Sequence, residues 1–169
     1  MNSGILKYIA SWIILVLIQI LLLNHIQISG LINPYLYILF ILTLPFSTPN
    51  YLLLLLGFLL GLNIDIFSNT LGIHAAATTF LAFIRPFVIN LISSRDVLEL
   101  NQDPRISELG FTWFFRYAVI LVLAHHFFLF FIEVFTLHGF FYTLLRVLFS
   151  SALTIVLIII SQYMIVKEK

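Results

Sequence analysis

The sequence predicts an all-α integral membrane protein, a compact bundle of six transmembrane helices forming one polytopic domain over residues 1–169. Three observations carry this. The 169 residues are 62% hydrophobic and 9% charged, with mean hydropathy +1.15; a soluble domain is roughly 45–50% apolar and about 25% charged. Apolar runs approaching the roughly 20 residues that cross hydrocarbon recur along the chain. The Lys and Arg residues near the run ends fall on one side of the layout those runs imply.

Residues 5–23 form the first expected span. Lys7 precedes an apolar run, but no small-x-small cleavage site follows before Asn24, so this reads as a retained helix rather than a signal peptide. "NHIQISGLINP" breaks it. The second segment, 36–46, is short and bracketed by Pro34 and Pro45; the third is 51–67, and "PFSTP" joins the two as a tight hairpin. An alternative merges these segments into one re-entrant hairpin. The fourth span is 71–92, interrupted by Pro86. "SSRDVLELNQDPRISELG" is the one substantial polar loop, and spans 111–135 and 140–165 follow, turning near His138 and Gly139.

With six spans, Lys7, Arg95, Arg105, Lys167 and Lys169 share one side. The positive-inside rule then puts both termini in the cytoplasm. A net charge of +1 carries no nucleic-acid signal, and the lack of cysteine excludes disulfides and thiolate metal sites.

Gly57, Gly61 and Asp65 are spaced by four and so share one helix face. Two small residues at that spacing let another backbone approach closely, which is what joins helices where lipid removes the hydrophobic drive. Ala75, Ala76, Ala77, Thr78, Thr79 and Ala82 offer a matching small surface across the turn. Gly72 suits the tight turn backbone, and Ser68, Asn69 and Thr70 can cap the following helix. Asp65 can reach water, accept backbone N–H bonds or pair with a basic group. Asp65→Asn keeps nearly the same shape, so folded yield is expected to hold.

Glu133 and Arg146 flank the 138–139 turn almost symmetrically. An antiparallel hairpin places them at similar depth, where an ion pair would staple it; contact with a partner is the alternative. Arg85 and Arg116 flank the polar loop in the same way, each about two turns inside the membrane. They are expected to snorkel to the interface or to share an anionic lipid phosphate. His125 and His126 point about 100° apart on a helix, so no metal site is expected, even with His74 and His138 as further donors. One imidazole is expected to bond within the bundle and the other to face a neighbour. No nucleophile elbow or phosphate loop occurs, so no catalytic residue and no cofactor are assigned.

"GFLLGLNIDIFSNTLGIHAAATTFLAF" and the upstream "INPYLYILFILTLPF" together resemble the signature region of the bacterial rod shape-determining MreD family, over residues 33 to 85. Many members carry a basic residue before the second segment's proline, where this chain has Asn33. The resemblance implies a non-enzymatic scaffold in the bacterial cytoplasmic (inner) membrane, acting in cell shape and lateral peptidoglycan synthesis. The implied partners are MreC and, indirectly, actin-like MreB, together with the RodA glycosyltransferase and a class B penicillin-binding protein. It also implies a fold like the substrate-binding components of energy-coupling-factor transporters. A small-molecule binding transporter component is accordingly the alternative function.

Overall fold

The structure, a computed structural model, describes residues 2–26, 31–94, 97, 103–136 and 138–166. Arg95, Lys167 and Lys169, three of the cations behind the expected orientation, lie outside them. Among the described residues, five helices are long and apolar enough to cross a membrane. They are α1 (Asn2–Leu21), α3 (Asn50–Ser68), α4 (Ile73–Ile92), α6 (Phe111–Val134) and α7 (Phe140–Val166). Two four-residue helices, α2 (Leu39–Leu42) and α5 (Ile106–Leu109), lie between them.

The second segment departs from the expected span. It contains a single 3-10 turn, Leu36–Ile38, followed by α2. Proline at 34 and 45 supplies no N–H at either end, and Leu44 before Pro45 is steered away from helical geometry. The Thr43 hydroxyl bonds the carbonyls of Leu39 and Phe40 at 2.9 and 3.3 Å, closing α2. The third segment is a full 19-residue helix, α3, rather than half of a short hairpin.

This segment runs antiparallel to α1, alongside it from Gln19 to Tyr8. Pro34 and Leu36 meet Gln19, Phe40 packs on Trp12 with ring centroids 5.0 Å apart, and Leu44 and Pro45 share a groove with Tyr8. Asn24 bonds Ser68 at 3.0 Å, so α1 and α3 end together and are parallel. Tyr37, Ile38, Ile41 and Leu42 are fully buried. The bundle thus has five long helices, with a short, partly helical segment buried among them.

Non-helical backbone survives at membrane depth only where protein satisfies its polar groups. Side chains from four helices do so here. Gln19 of α1 accepts from the Leu36 amide (2.9 Å) and donates to the Pro34 carbonyl (3.0 Å). On α7, Thr154 accepts from the Tyr35 amide (3.0 Å), while Ser150 accepts from the Asn33 amide (3.0 Å) and donates to the Leu31 carbonyl (3.2 Å). Tyr117 of α6 donates to the Leu42 carbonyl (3.0 Å), and Arg85 of α4 donates to that of Leu44.

Candidate functional site

The α3–α4 hairpin is the closest helix pair. At Gly61 an added Cβ would lie 2.5 Å from the Ala75 Cα and also meet the His74 carbonyl; at Gly57 it would lie 2.9 Å from both the Ala82 Cβ and the Thr78 carbonyl oxygen. The two helices therefore touch backbone to backbone at Gly61. The turn between them needs left-handed backbone at Asn69 (φ 54°) and Gly72 (φ 84°), the residue types that adopt it most readily.

Asp65 projects from α3 across this crossing and is 3% exposed. Its Oδ1 accepts from the His74 amide (3.0 Å) and the Thr70 hydroxyl, and its Oδ2 accepts from the Ala75 amide (2.8 Å). A carboxylate on one helix thus caps the start of the next and complements its dipole. The capping expected of Ser68, Asn69 and Thr70 is indirect, since Thr70 bonds Asp65 and the α4 N-cap residue, Gly72, has no side chain.

This geometry reverses the expectation for Asp65→Asn. Both oxygens accept from backbone N–H groups, so an amide in either orientation turns its NH₂ toward a donor. Asp65→Asn should lose about 1–3 kcal/mol, the cost of an unsatisfied buried group. It should therefore lower both melting temperature and folded yield in detergent. An unchanged melt would show that the cap is dispensable.

From the hairpin a buried hydrogen-bond network crosses the bundle. His74 Nδ1 lies 3.0 Å from the Tyr37 hydroxyl, which also approaches Thr78 Oγ1 (3.3 Å) and His125 Nε2 (3.1 Å). The Thr78 hydroxyl donates to the His74 carbonyl at 2.8 Å. His126 Nδ1 faces the Val122 carbonyl at 2.9 Å, an acceptor only, so Nδ1 carries the proton. His126 Nε2 then accepts from Thr154 at 3.2 Å, the same hydroxyl that accepts from the Tyr35 amide. The Tyr35 ring packs against His74, His125 and His126 with centroids 5.1–6.3 Å away.

Both adjacent histidines are fully buried, so neither faces a neighbour outside the bundle. His125 Nδ1 has no partner among the described residues. His138 is exposed on the α6–α7 turn, remote from the other three. No group of three metal-ligating side chains forms among the described residues. Such a network can hold helices in register. It can also offer hydroxyl and imidazole groups to a ligand if the bundle opens.

Glu133 and Arg146 face each other across the α6–α7 turn, with Nη2 3.1 Å from Oε2. The Arg146 guanidinium also sits 4.3 Å over the Phe130 ring. Its side chain is 11% exposed and that of Glu133 40%, so the pair belongs between surface and interior. Removing either partner leaves the other without its counter-charge. Glu133→Gln and Arg146→Gln should each lower the melting temperature, with the double variant no worse than the poorer single. The coupling expected for a half-exposed pair is about 0.5–1 kcal/mol. Additive losses would show that the residues act separately.

Arg85 and Arg116 do not share a site. Arg85 is 2% exposed and points inward, its Nε donating to the Tyr117 hydroxyl at 2.8 Å, so it does not snorkel. Arg116 is exposed on α6. Matched depth in the sequence did not encode the rotation of each residue about its helix. Gln19, Tyr37, Tyr117, Ser150 and Thr154, the residues that hold the central segment, were not singled out in the sequence. Gln19 carried a signal, being a lone amide inside "IILVLIQILLL". No protein-family model, no curated protein and no solved structure matches the chain.

Proposed function

We propose that the chain is a non-enzymatic scaffold of the bacterial cell-wall elongation (rod) complex, of the MreD kind. It would sit in the inner membrane with both termini cytoplasmic. There it binds MreC directly and connects through it to MreB, with the RodA–class B penicillin-binding protein pair as further partners. The observation that carries this reading is an apolar groove of about 600 Å³ along the outside of the α3–α4 hairpin. Gly72, Ala75, Ala76 and Thr79 form its floor, between walls that include Phe58 and Phe80. It lies on the stretch that resembles MreD, and its small floor admits a partner helix close to the backbone. Asp65 and the two glycines support the role by fixing the hairpin that shapes the groove.

A photo-crosslinking residue at Ala76, on the groove floor, should capture MreC in native membranes, while one at Tyr163 on α7 should not. Equal capture at both positions, or none at Ala76, would count against the reading. The alternative, an energy-coupling-factor-like binding component, draws on the interior Tyr37–His74–His125 cluster. Copurification of an ATPase coupling module or a bound small molecule would favour it.

A further inference from the structure

We propose that the small polar cavity beside the 45–49 turn is an anion site for a phosphate group, with Arg85 as its cation. The cavity, about 270 Å³, is lined by Arg85 together with Ser47, Thr48, Asn50 and Asn90. It lies where α3 begins and α4 approaches its end, at the same end of the bundle as the N-terminal part of α1.

The charge balance asks for an anion. Arg85 is almost fully buried, yet its two hydrogen bonds go to neutral acceptors, the Tyr117 hydroxyl and the Leu44 carbonyl. Among the described residues the acidic partners of arginine are Asp103 for Arg105 and Glu133 for Arg146, and none faces Arg85. A guanidinium has five N–H donors, and a buried cation without a counter-charge is strongly unfavourable. The cavity lining supplies hydroxyl and amide groups and contains no carboxylate.

The start of α3 adds to this. Its N-cap residue is Pro49, which makes no side-chain capping bond, so the first amides of a 19-residue helix lack a side-chain partner beside the cavity. Free helix-start amides and a guanidinium fork together match the oxygens of a phosphate. Phe46, Leu53 and Ile89 form part of the wall and lower the local dielectric, which strengthens the attraction. A phospholipid headgroup and free phosphate present the same chemistry here. The site is independent of the scaffold reading, because it lies away from the hairpin groove.

The test uses the full chain purified in a neutral detergent. Melting is followed while titrating inorganic phosphate against chloride at equal ionic strength, and separately phosphatidylglycerol against phosphatidylcholine. The variants are Arg85→Gln and Asn90→Asp. Arg85→Gln removes the cation but also two structural hydrogen bonds, so a folding failure there is not decisive. Asn90→Asp keeps the side-chain shape at an exposed position and puts a carboxylate on the cavity lining, so it should fold as well as the native chain. The native chain should be stabilised in at least one arm, and Asn90→Asp should weaken that response about tenfold or more by like-charge repulsion. A response to phosphatidylglycerol alone identifies a lipid headgroup, and a response to phosphate in solution identifies a free anion. No response in either arm, or an equal response in Asn90→Asp, would overturn the proposal.

Discussion

Gly61→Leu should yield no folded α3–α4 hairpin, and Gly61→Ala should already be severely destabilised. The added Cβ would sit 2.5 Å from the Ala75 Cα and 2.6 Å from its amide nitrogen. These are backbone atoms, so no flexible side chain can move aside. Overpacking usually costs about 1–3 kcal/mol where neighbours can shift; at Gly61 the helices themselves must separate, and a loss above about 3 kcal/mol is expected for alanine. Separation would also withdraw the His74 and Ala75 amides from Asp65, coupling the clash to loss of the cap. Gly57→Ala should also destabilise, but less than Gly61→Ala, because its closest contacts, the Ala82 Cβ and the Thr78 carbonyl oxygen, lie at 2.9 Å rather than 2.5 Å or less. Monodisperse yield and melting temperature in detergent check the ranking. Normal yield for Gly61→Leu would show that the helices do not meet as described.

Gln19→Met should be the most damaging change of similar shape in α1. Gln19 is fully buried, with its oxygen accepting from the Leu36 amide at 2.9 Å and its nitrogen donating to Asn24 at 2.9 Å and the Pro34 carbonyl at 3.0 Å. Methionine fills the volume but leaves the Leu36 amide and the Pro34 carbonyl unpaired. Each such buried group costs about 1–3 kcal/mol, so the two together give a loss of roughly 2–6 kcal/mol. Leu17→Met, on the exposed face of the same helix, should change little. Comparing the two variants by thermal melting separates hydrogen bonding from side-chain identity. Equal melts would mean that the central segment does not depend on Gln19.

The sequence made much of this bundle legible wherever the signal was local. The five long helices follow from apolar runs, and the shared face of Gly57, Gly61 and Asp65 follows from a spacing of four. Matched distance from one turn predicts that Glu133 and Arg146 meet, and they lie 3.1 Å apart. The same argument failed for Arg85 and Arg116, because depth says nothing of rotation about a helix axis. Segment 36–46 is helical only over Leu36–Leu42 and begins as a 3-10 turn, details that an apolar run between two prolines does not specify. Its partners are set by tertiary packing, with Tyr37 and His125 separated by 88 positions. The polar residues inside the first, sixth and seventh helices held that information, but only the fold shows which backbone groups they serve.

We propose that the chain crosses the membrane six times, five times as long helices and once through the buried, partly helical segment between α1 and α3. The absence of native cysteine allows a direct test by single-cysteine labelling of intact cells with a membrane-impermeant reagent. Cysteines at Ser3, Asn69 and Glu168, one per variant, report the two termini and the α3–α4 turn. Ser3 and Glu168 should share one side, the cytoplasmic one on the proposed orientation, while Asn69 is labelled from the other. Labelling of Ser3 and Glu168 from opposite sides is what five crossings alone would give, and would contradict it.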